Sequence, residues 1–406
     1  MGKIMLTWEA GAYLGHEVKV TSAALMLKRA GHEVVVYAPH GTATNSTARR
    51  ARLRWENVGA YPQEPGPSPG VPWRSRATSL WNVGFHTHSV VRDRLLAWDA
   101  ILEREQPDLT LLQAAPYAQV MARLACYRSV EFGIGFDVPP NVSPFPPFRH
   151  TEDFSAQHAL QLEQRIQLHI AKVFRTVPGS GRLYEMVSGD TRLVTSLPEL
   201  DHYDGCGDAT RQFVGPLPML DRGTEPLQWR GSKPRVLVYV RSQLCDAASL
   251  LKALAKVRVE AIVVCMGADE ATRALADKLD IRLFASPITL TELLPAADLV
   301  VSHGGGLMAE ALVHGCACMA LPSHYEQFMT SGTLQRRHLG VNVNPAEPRL
   351  YEPALRHVLA DKEIRRHAKA MGERYRHIRE HPGTEFLAAV EAAMQEAREA
   401  QEVTRR

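Results

Sequence analysis

Several things are scarce in this chain of 406 residues, and each scarcity excludes a class of protein. Charge of one sign is scarce: 47 Lys and Arg against 44 Asp and Glu leave a formal net charge of +3. Tracking phosphates along a nucleic acid needs a dense basic stripe, so no nucleic-acid partner is expected. Long apolar runs are absent, and none approaches the ~18–20 residues of a membrane span, so no integral membrane segment is expected. The opening MGKIMLTWEAG has too short an apolar run for a signal peptide, and no small-residue cleavage site follows it. Cysteine is limited to residues 126, 206, 245, 265, 316 and 318, without a CxxC pair. Several lie in apolar strand-like runs. They read as small buried hydrophobes in a reducing cytoplasm, with Cys316-x-Cys318 as a metal or redox pair the lesser alternative. No sequence repeat links the two halves.

What is present is enough apolar material for two cores. Apolar residues make up 45% and charged residues 22%, and the length is about twice that of one domain. Strand and helix signals alternate. Lys3–Thr7 is a short apolar strand, Trp8–His16 a loop with Gly11 and Gly15, and 17–30 an amphipathic helix stopped by Gly31. Val34–Tyr37 is a β-branched run, as in a strand buried on both faces. Residues 61–73, YPQEPGPSPGVPW, form a Pro/Gly loop. A helical stretch over 75–105 follows. Strands are then predicted at Leu109–Leu112, Val130–Ile134 and Arg192–Thr195, with helices at Pro116–Cys126 and 152–176. A second Pro-rich loop covers 139–150.

Residues 215–234 hold four prolines and three glycines and read as a linker. The alternation then restarts, with strands at Arg235–Val240, Val259–Cys265, Arg282–Phe284, Leu299–Ser302 and Cys316–Leu321. Helices are predicted between them, near 246–256, 270–279, 289–295, 304–314 and 324–338. The fold class is therefore α/β, with two doubly wound domains. The expected boundaries are 1–215, a linker 216–234, a second domain 235–382 and a helical tail 383–406.

Two stretches carry chemistry in the second half. The strand ending at Ser302 runs into His303-Gly304-Gly305-Gly306 and a helix. Glycines let backbone N–H groups approach an anion, and the helix start adds partial positive charge, which suits a diphosphate. His303 can donate to a phosphate oxygen, and Glu310 can accept from a ribose diol. The plainer alternative is a tight strand–helix turn with a satisfied surface histidine. There is no GxGxxG with a downstream acid and no GxxxxGK[ST], so neither a dinucleotide site nor a P-loop is supported. The strand Cys316–Leu321 leads into Pro322-Ser323-His324-Tyr325-Glu326-Gln327. A carboxylate and an amide at a strand's C-terminal end lie where open α/β sheets bind ligands, and the pair offers acceptors and donors to sugar hydroxyls. The alternative is a helix-start glutamate complementing the macrodipole.

From Leu293 to Gly340 the sequence resembles the donor-binding signature of the UDP-glycosyltransferases, bacterial nucleotide-sugar transferases of the GT-B class. The shared pattern is a Leu-Leu-Pro-x-Ala-Asp lead-in, His-Gly-Gly, a glutamate on the helix, Ala-Leu-x-x-Gly, an apolar strand ending in Pro, and an acid-Gln pair. The resemblance implies two Rossmann-like domains facing each other across a cleft, the first for the acceptor and the second for the donor. The terminal helix would return to the first domain. It implies that His303 and the Gly304–Gly306 amides hold the diphosphate, that Glu310 binds the ribose, and that Glu326 and Gln327 bind the sugar. Ile288 would meet the base through backbone atoms, and Ser242 loosely matches a phosphate-contacting position. Glu310 lies seven residues after His303, where the family has eight, and one residue turns a helical side chain by about 100°.

The first half fits the same family through Gly15-His16 and Gly31-His32. The first histidine is the family's base, which makes His16 the candidate. An imidazole of pKa ~6.5 can take a hydroxyl's proton as it attacks. The plainer alternative is a loop histidine shielding the helix start. His32 reads as structural. The aspartate that orients the base in the family is absent after the fourth strand, where Leu111-Leu112-Gln113-Ala114 stands. Gln113 could accept the imidazole N–H, and Glu9 and Asp108 are weaker candidates. Phe85-His86-Thr87-His88 puts two histidines on different helix faces, so no metal site is expected there. Trp8, Tyr13, Trp73, Trp81, Phe85 and Phe145–Phe148 could line an apolar acceptor pocket or simply fill the core.

The resemblance implies an inverting, metal-independent hexosyltransferase with no cofactor. Its co-substrate would be a UDP- or TDP-sugar and its acceptor a small or lipid-like hydroxyl compound. Two alternatives stand beside it: a catalytically weak homologue acting as a nucleotide-binding partner protein, and a nucleotide-sugar epimerase of the same architecture.

Overall fold

The computed structural model describes residues 1–10, 14–39, 46–58, 71–149, 154–174, 181–203, 206–220 and 227–405. Gly11, Tyr13 and most of the first Pro/Gly loop lie outside the described residues. The chain divides into two compact units. The first comprises Met1–Ser196, Tyr203–Leu217 and Gly383–Arg406, and the second Leu197–His202 and Pro218–Pro382.

The first unit is built on seven parallel strands: β1 (Lys3–Trp8), β2 (Glu33–Ala38), β3 (Arg54–Asn57), β4 (Leu109–Gln113), β5 (Ser129–Gly133), β6 (Thr191–Val194) and β7 (Arg211–Phe213). Their order is β3-β2-β1-β4-β5-β6-β7. The β-branched and aliphatic runs fill both faces, as a parallel sheet requires. Ile4, Leu6, Val34 and Val36 go to one cluster, whereas Met5, Val35 and Tyr37 go to the other. That alternation is the strand's two-residue period. The first cluster is closed by Val20, Ala23, Ala24 and Leu27 of the helix Leu14–Arg29 and by Phe386, Val390 and Met394 of the terminal helix Thr384–Arg405. The terminal helix is fastened by Glu391, 2.8 Å from the His32 ring, and by edge-to-face packing of Phe386 on Phe132.

The second unit has six parallel strands: β8 (Arg235–Arg241), β9 (Glu260–Met266), β10 (Arg282–Phe284), β11 (Leu299–Ser302), β12 (Ala317–Ala320) and β13 (Gly340–Asn342). Their order is β10-β9-β8-β11-β12-β13. Val236, Val238 and Val240 face one cluster and Leu237 the other. Leu197 and Leu200, from the short crossover segment, join the second of these clusters.

Both sheets start in the middle, run outward, then return past the starting strand. The order reverses between β1 and β4 in one and between β8 and β11 in the other, the place where open α/β sheets bind ligands.

Some expected elements differ. The 75–105 stretch is three pieces, Arg76–Leu80, a wide turn Trp81–Phe85, and His88–Glu105. The break falls at Gly84, whose φ of 111° no helix accommodates. The stretch 289–295, expected as a helix, holds only the start of a 3-10 turn, Leu294–Ala296, with Pro295 near its beginning. The first helix begins at Leu14, so His16 stands on the helix and not in the loop before it. β3 and β13 were not foreseen, because RWEN and GVN are short edge strands without an apolar run.

Candidate functional site

At the switch point of the second sheet, β11 ends in Ser302 and the chain turns through Gly304 (φ 117°) and Gly305 (φ 72°, ψ −148°) into the helix Gly306–Val313. Only glycine adopts the second conformation without strain. A side chain built at Gly305 or Gly306 would meet nothing within 4 Å, so the turn faces open space. The Gly304 amide donates to Ser302 Oγ at 3.2 Å. The amides of Gly305 and Gly306 have no protein acceptor among the described residues.

This helix start contrasts with others in the same unit. Asp246, Asp269 and Asp361 each accept a backbone N–H in the first turn of their helices. The glycine turn has no side-chain cap. Orphan amides at an uncapped, open helix start are the arrangement that takes an anion.

The surrounding side chains are placed as follows. Glu310 sits in the second turn of the helix, partly exposed as a residue. Its carboxyl is nevertheless so enclosed by protein that loss of water pushes its pKa up to about 8. It has no hydrogen bond or ion pair among the described residues. Gln327 packs beside the turn, its Cβ 3.5 Å from where a Gly304 side chain would begin. Its Oε1 accepts from Ser323 N and Oγ at 2.9 and 3.0 Å, which turns its NH2 outward from that loop. Glu326, in the first turn of the helix Tyr325–Arg336, lies 3.4 Å from the Thr330 hydroxyl. Ile288 is buried in the core, which leaves only its main chain to meet a ligand. Ser242 donates its hydroxyl to Gly267 O at 2.7 Å, tying the ends of β8 and β9 together.

His303 is placed differently from the expectation of a phosphate donor. Its Nδ1 lies 2.7 Å from Leu321 O, and its Nε2 accepts from the Arg241 N–H at 2.9 Å. A carbonyl can only accept and an amide N–H can only donate, so the proton is on Nδ1. In this arrangement the ring spans β8, β11 and the end of β12 and offers no N–H to a ligand. Burial holds its pKa below the usual value, only partly offset by the Leu321 carbonyl, so it stays neutral near pH 7.

At the switch point of the first sheet the register sets Trp8 of β1 beside Gln113 of β4. The His16 ring stacks on Trp8 with centroids 5.7 Å apart and planes 13° from parallel. His16 Nδ1 is 2.9 Å from Gln113 Oε1. Gln113, fully buried, donates its Nε2 to Asp137 Oδ2 at 3.2 Å. Asp137 lies in the turn after β5, where the same oxygen accepts from Ile134 N at 3.1 Å and meets Lys19 Nζ at 3.5 Å. The turn closes only because residue 133 is glycine: a Cβ there would stand 2.5 Å from that of Asp137. Burial alone would raise the Asp137 pKa. Lys19, His16, the Ile134 N–H and Arg76 together outweigh burial and hold the carboxyl below its ordinary value.

Glu9 and Asp108, the weaker candidates for orienting His16, have other tasks. Glu9 caps the helix Pro116–Leu124 through the amides of Tyr117 and Ala118, and Asp108 accepts from Lys3 N. Asp137 lies outside the expectation because it follows the fifth strand and not the fourth. The available signal was an acid between Gly135 and Pro139, just past the fifth strand. Phe85, Phe145 and Phe148 are core residues, whereas Trp73 is exposed.

No family model matches the sequence, and no curated relative does either. Solved structures do match. The spinosyn rhamnosyltransferase SpnG is 20% identical, with 92% of this chain and 96% of that one covered at a TM-score of 0.62. The glycosyltransferase VinC, solved with dTDP, is 16% identical, with 96% and 100% covered at 0.65. The calicheamicin glycosyltransferase CalG4 is 16% identical, with 97% and 98% covered at 0.66. This is the GT-B glycosyltransferase fold. As a GT-B chain it has the expected doubly wound α/β units. Among the described residues no helix is long and apolar enough to cross a membrane, and no group of three His, Cys, Asp or Glu could hold a metal. All six cysteines are free thiols, and burial pushes Cys245 and Cys316 up to about 12.

Proposed function

We propose that this chain is an inverting glycosyltransferase, acting in the cytoplasm without metal or cofactor, that moves a sugar from a nucleoside-diphosphate sugar to a hydroxyl-bearing small molecule. The observation that carries this reading is the open, uncapped glycine turn flanked by Glu310 and the Gln327 amide. The Gly305 and Gly306 amides receive the diphosphate, Glu310 the ribose diol, and Glu326 with Gln327 the sugar hydroxyls. Ile288 offers main-chain contact to the base, and Ser242 stands at the end of β8. His303 acts by holding the turn in place. VinC and SpnG were solved with thymidine diphosphate, and SpnG also with its aglycone, which favours a TDP-sugar and a small aglycone-like acceptor here.

In the reaction the acceptor oxygen attacks the anomeric carbon, and the carbon–oxygen bond to the diphosphate breaks on the opposite face. The hydroxyl proton passes to His16 Nε2. Negative charge grows on the leaving diphosphate, where pre-aimed amides stabilise it most. The test is a thermal-shift panel of TDP- and UDP-sugars, since a ligand that binds only the native state raises its melting temperature. A shift with one class supports the donor assignment, and no shift with any removes it. Slow release of nucleoside diphosphate without acceptor favours an enzyme. Binding without release favours a non-catalytic partner protein.

A further inference from the structure

We infer that Asp137 is the positioning carboxylate for His16, acting through the Gln113 amide in a His16–Gln113–Asp137 chain. This rests on the reading of His16 as the base. Donors and acceptors fix the arrangement. An ionised carboxylate can only accept, so the Gln113 atom 3.2 Å from Asp137 Oδ2 must be the NH2. That fixes the amide orientation and turns Oε1 toward the imidazole, 2.9 Å from Nδ1. A carbonyl oxygen can only accept, so the proton of the neutral ring sits on Nδ1. Nε2 is therefore the nitrogen that carries the lone pair. The charge on Asp137 thus selects the tautomer of a ring it does not touch. It also favours the imidazolium that forms when the proton is taken up, the task a directly bonded carboxylate performs in a catalytic triad.

The chain is built into the fold. Gln113 and Asp137 close neighbouring strands, and both are buried. Lys19 stands one helical turn after His16, on the same face, and meets Asp137. The titratable and charged groups that face Asp137 are Lys19 and His16 from the first helix and Arg76 from the helix that follows residue 75. Glu17, beside His16 in sequence, is buried. Lys19 and Arg76 oppose the imidazolium while Asp137 favours it, so removing the carboxylate charge leaves the ring among cations.

The test reads the imidazole itself: long-range 1H–15N spectra of the full chain labelled at histidine, with His16 assigned from its loss in His16→Gln. In the wild type Nδ1 should show the protonated and Nε2 the lone-pair shift. Asp137→Asn keeps an acceptor for the Ile134 N–H but loses the charge. Its His16 titration midpoint should fall by roughly half a pH unit or more. Adding Gln113→Glu to Asp137→Asn, which sets a carboxylate directly on the ring, should restore it. An unchanged midpoint in Asp137→Asn overturns the proposal, as does wild-type protein with the proton on Nε2. Should Asp137→Asn fail to fold, Gln113→Leu carries the test. It leaves Asp137 on Ile134 and Lys19, yet should lose the single Nδ1–H form, and keeping that form would overturn the chain. These spectra do not depend on turnover. A protein that transfers no sugar but shows the shifts loses the proposed function and keeps the relay.

Discussion

The two units present their candidate sites at the same point of the same strand order, but they fill it with different material. In the second unit the switch point presents backbone: two amides on an open glycine turn, without the aspartate cap that the helices Ala247–Val257 and Glu270–Lys278 carry. In the first it presents a chain of side chains, His16, Gln113 and Asp137, from three separate segments. An anion that must be held needs fixed donors and little else. A proton that must be moved needs one ring in one tautomer, and tautomers are set by side-chain partners.

The largest effect is expected at His16. His16→Ala should lower transfer by about 10²–10⁴-fold while nucleotide binding stays unchanged, as a general base contributes to the reaction but not to donor affinity. Steady-state rates and calorimetry on one preparation check both halves. Next comes Gly305→Ala. A non-glycine residue at φ 72° and ψ −148° costs about 1–3 kcal/mol and moves the amides. Nucleotide affinity should fall at least tenfold, the reverse of the His16 pattern.

Glu310→Gln sharpens the second site by its pH dependence. The Glu310 carboxyl ordinarily titrates near 4.5 and is raised to about 8 in the folded protein. Between those values the folded chain binds a proton the unfolded chain has lost, so stability falls as pH rises through that window. Glu310→Gln removes this loss. Its melting temperature should match the wild type at pH 4 and exceed it increasingly toward pH 8.5. The smallest effect is expected at a helix with no ligand role. Asp246→Ala removes a cap from the helix Ala247–Val257 and should cost about 1 kcal/mol without touching nucleotide affinity.

Legibility in the sequence followed the same divide. The glycine turn, Glu310, Glu326 and Gln327 lie within 25 residues on two successive strand–helix joints, so spacing alone brings them together. The buried runs Val34–Tyr37 and Leu299–Ser302 gave their strands for the same local reason. What escaped was whatever depends on pairing across the sheet. Asp137 lies 24 residues from Gln113 and meets it only because β4 and β5 are neighbours. The partners of His303 come from β8 and the end of β12, so its engaged nitrogens were invisible in the His-Gly-Gly motif. Gly84 breaks a helical pattern whose period continues through it.

The most direct measurement is calorimetric titration of thymidine diphosphate, with uridine diphosphate beside it, into the wild-type chain and into Gly305→Ala. Saturable one-to-one binding of at least one of them, lost or weakened tenfold in the variant, is the predicted result. Binding of neither to the wild type, or equal binding to both proteins, would contradict the claim that the turn after Ser302 is the donor site.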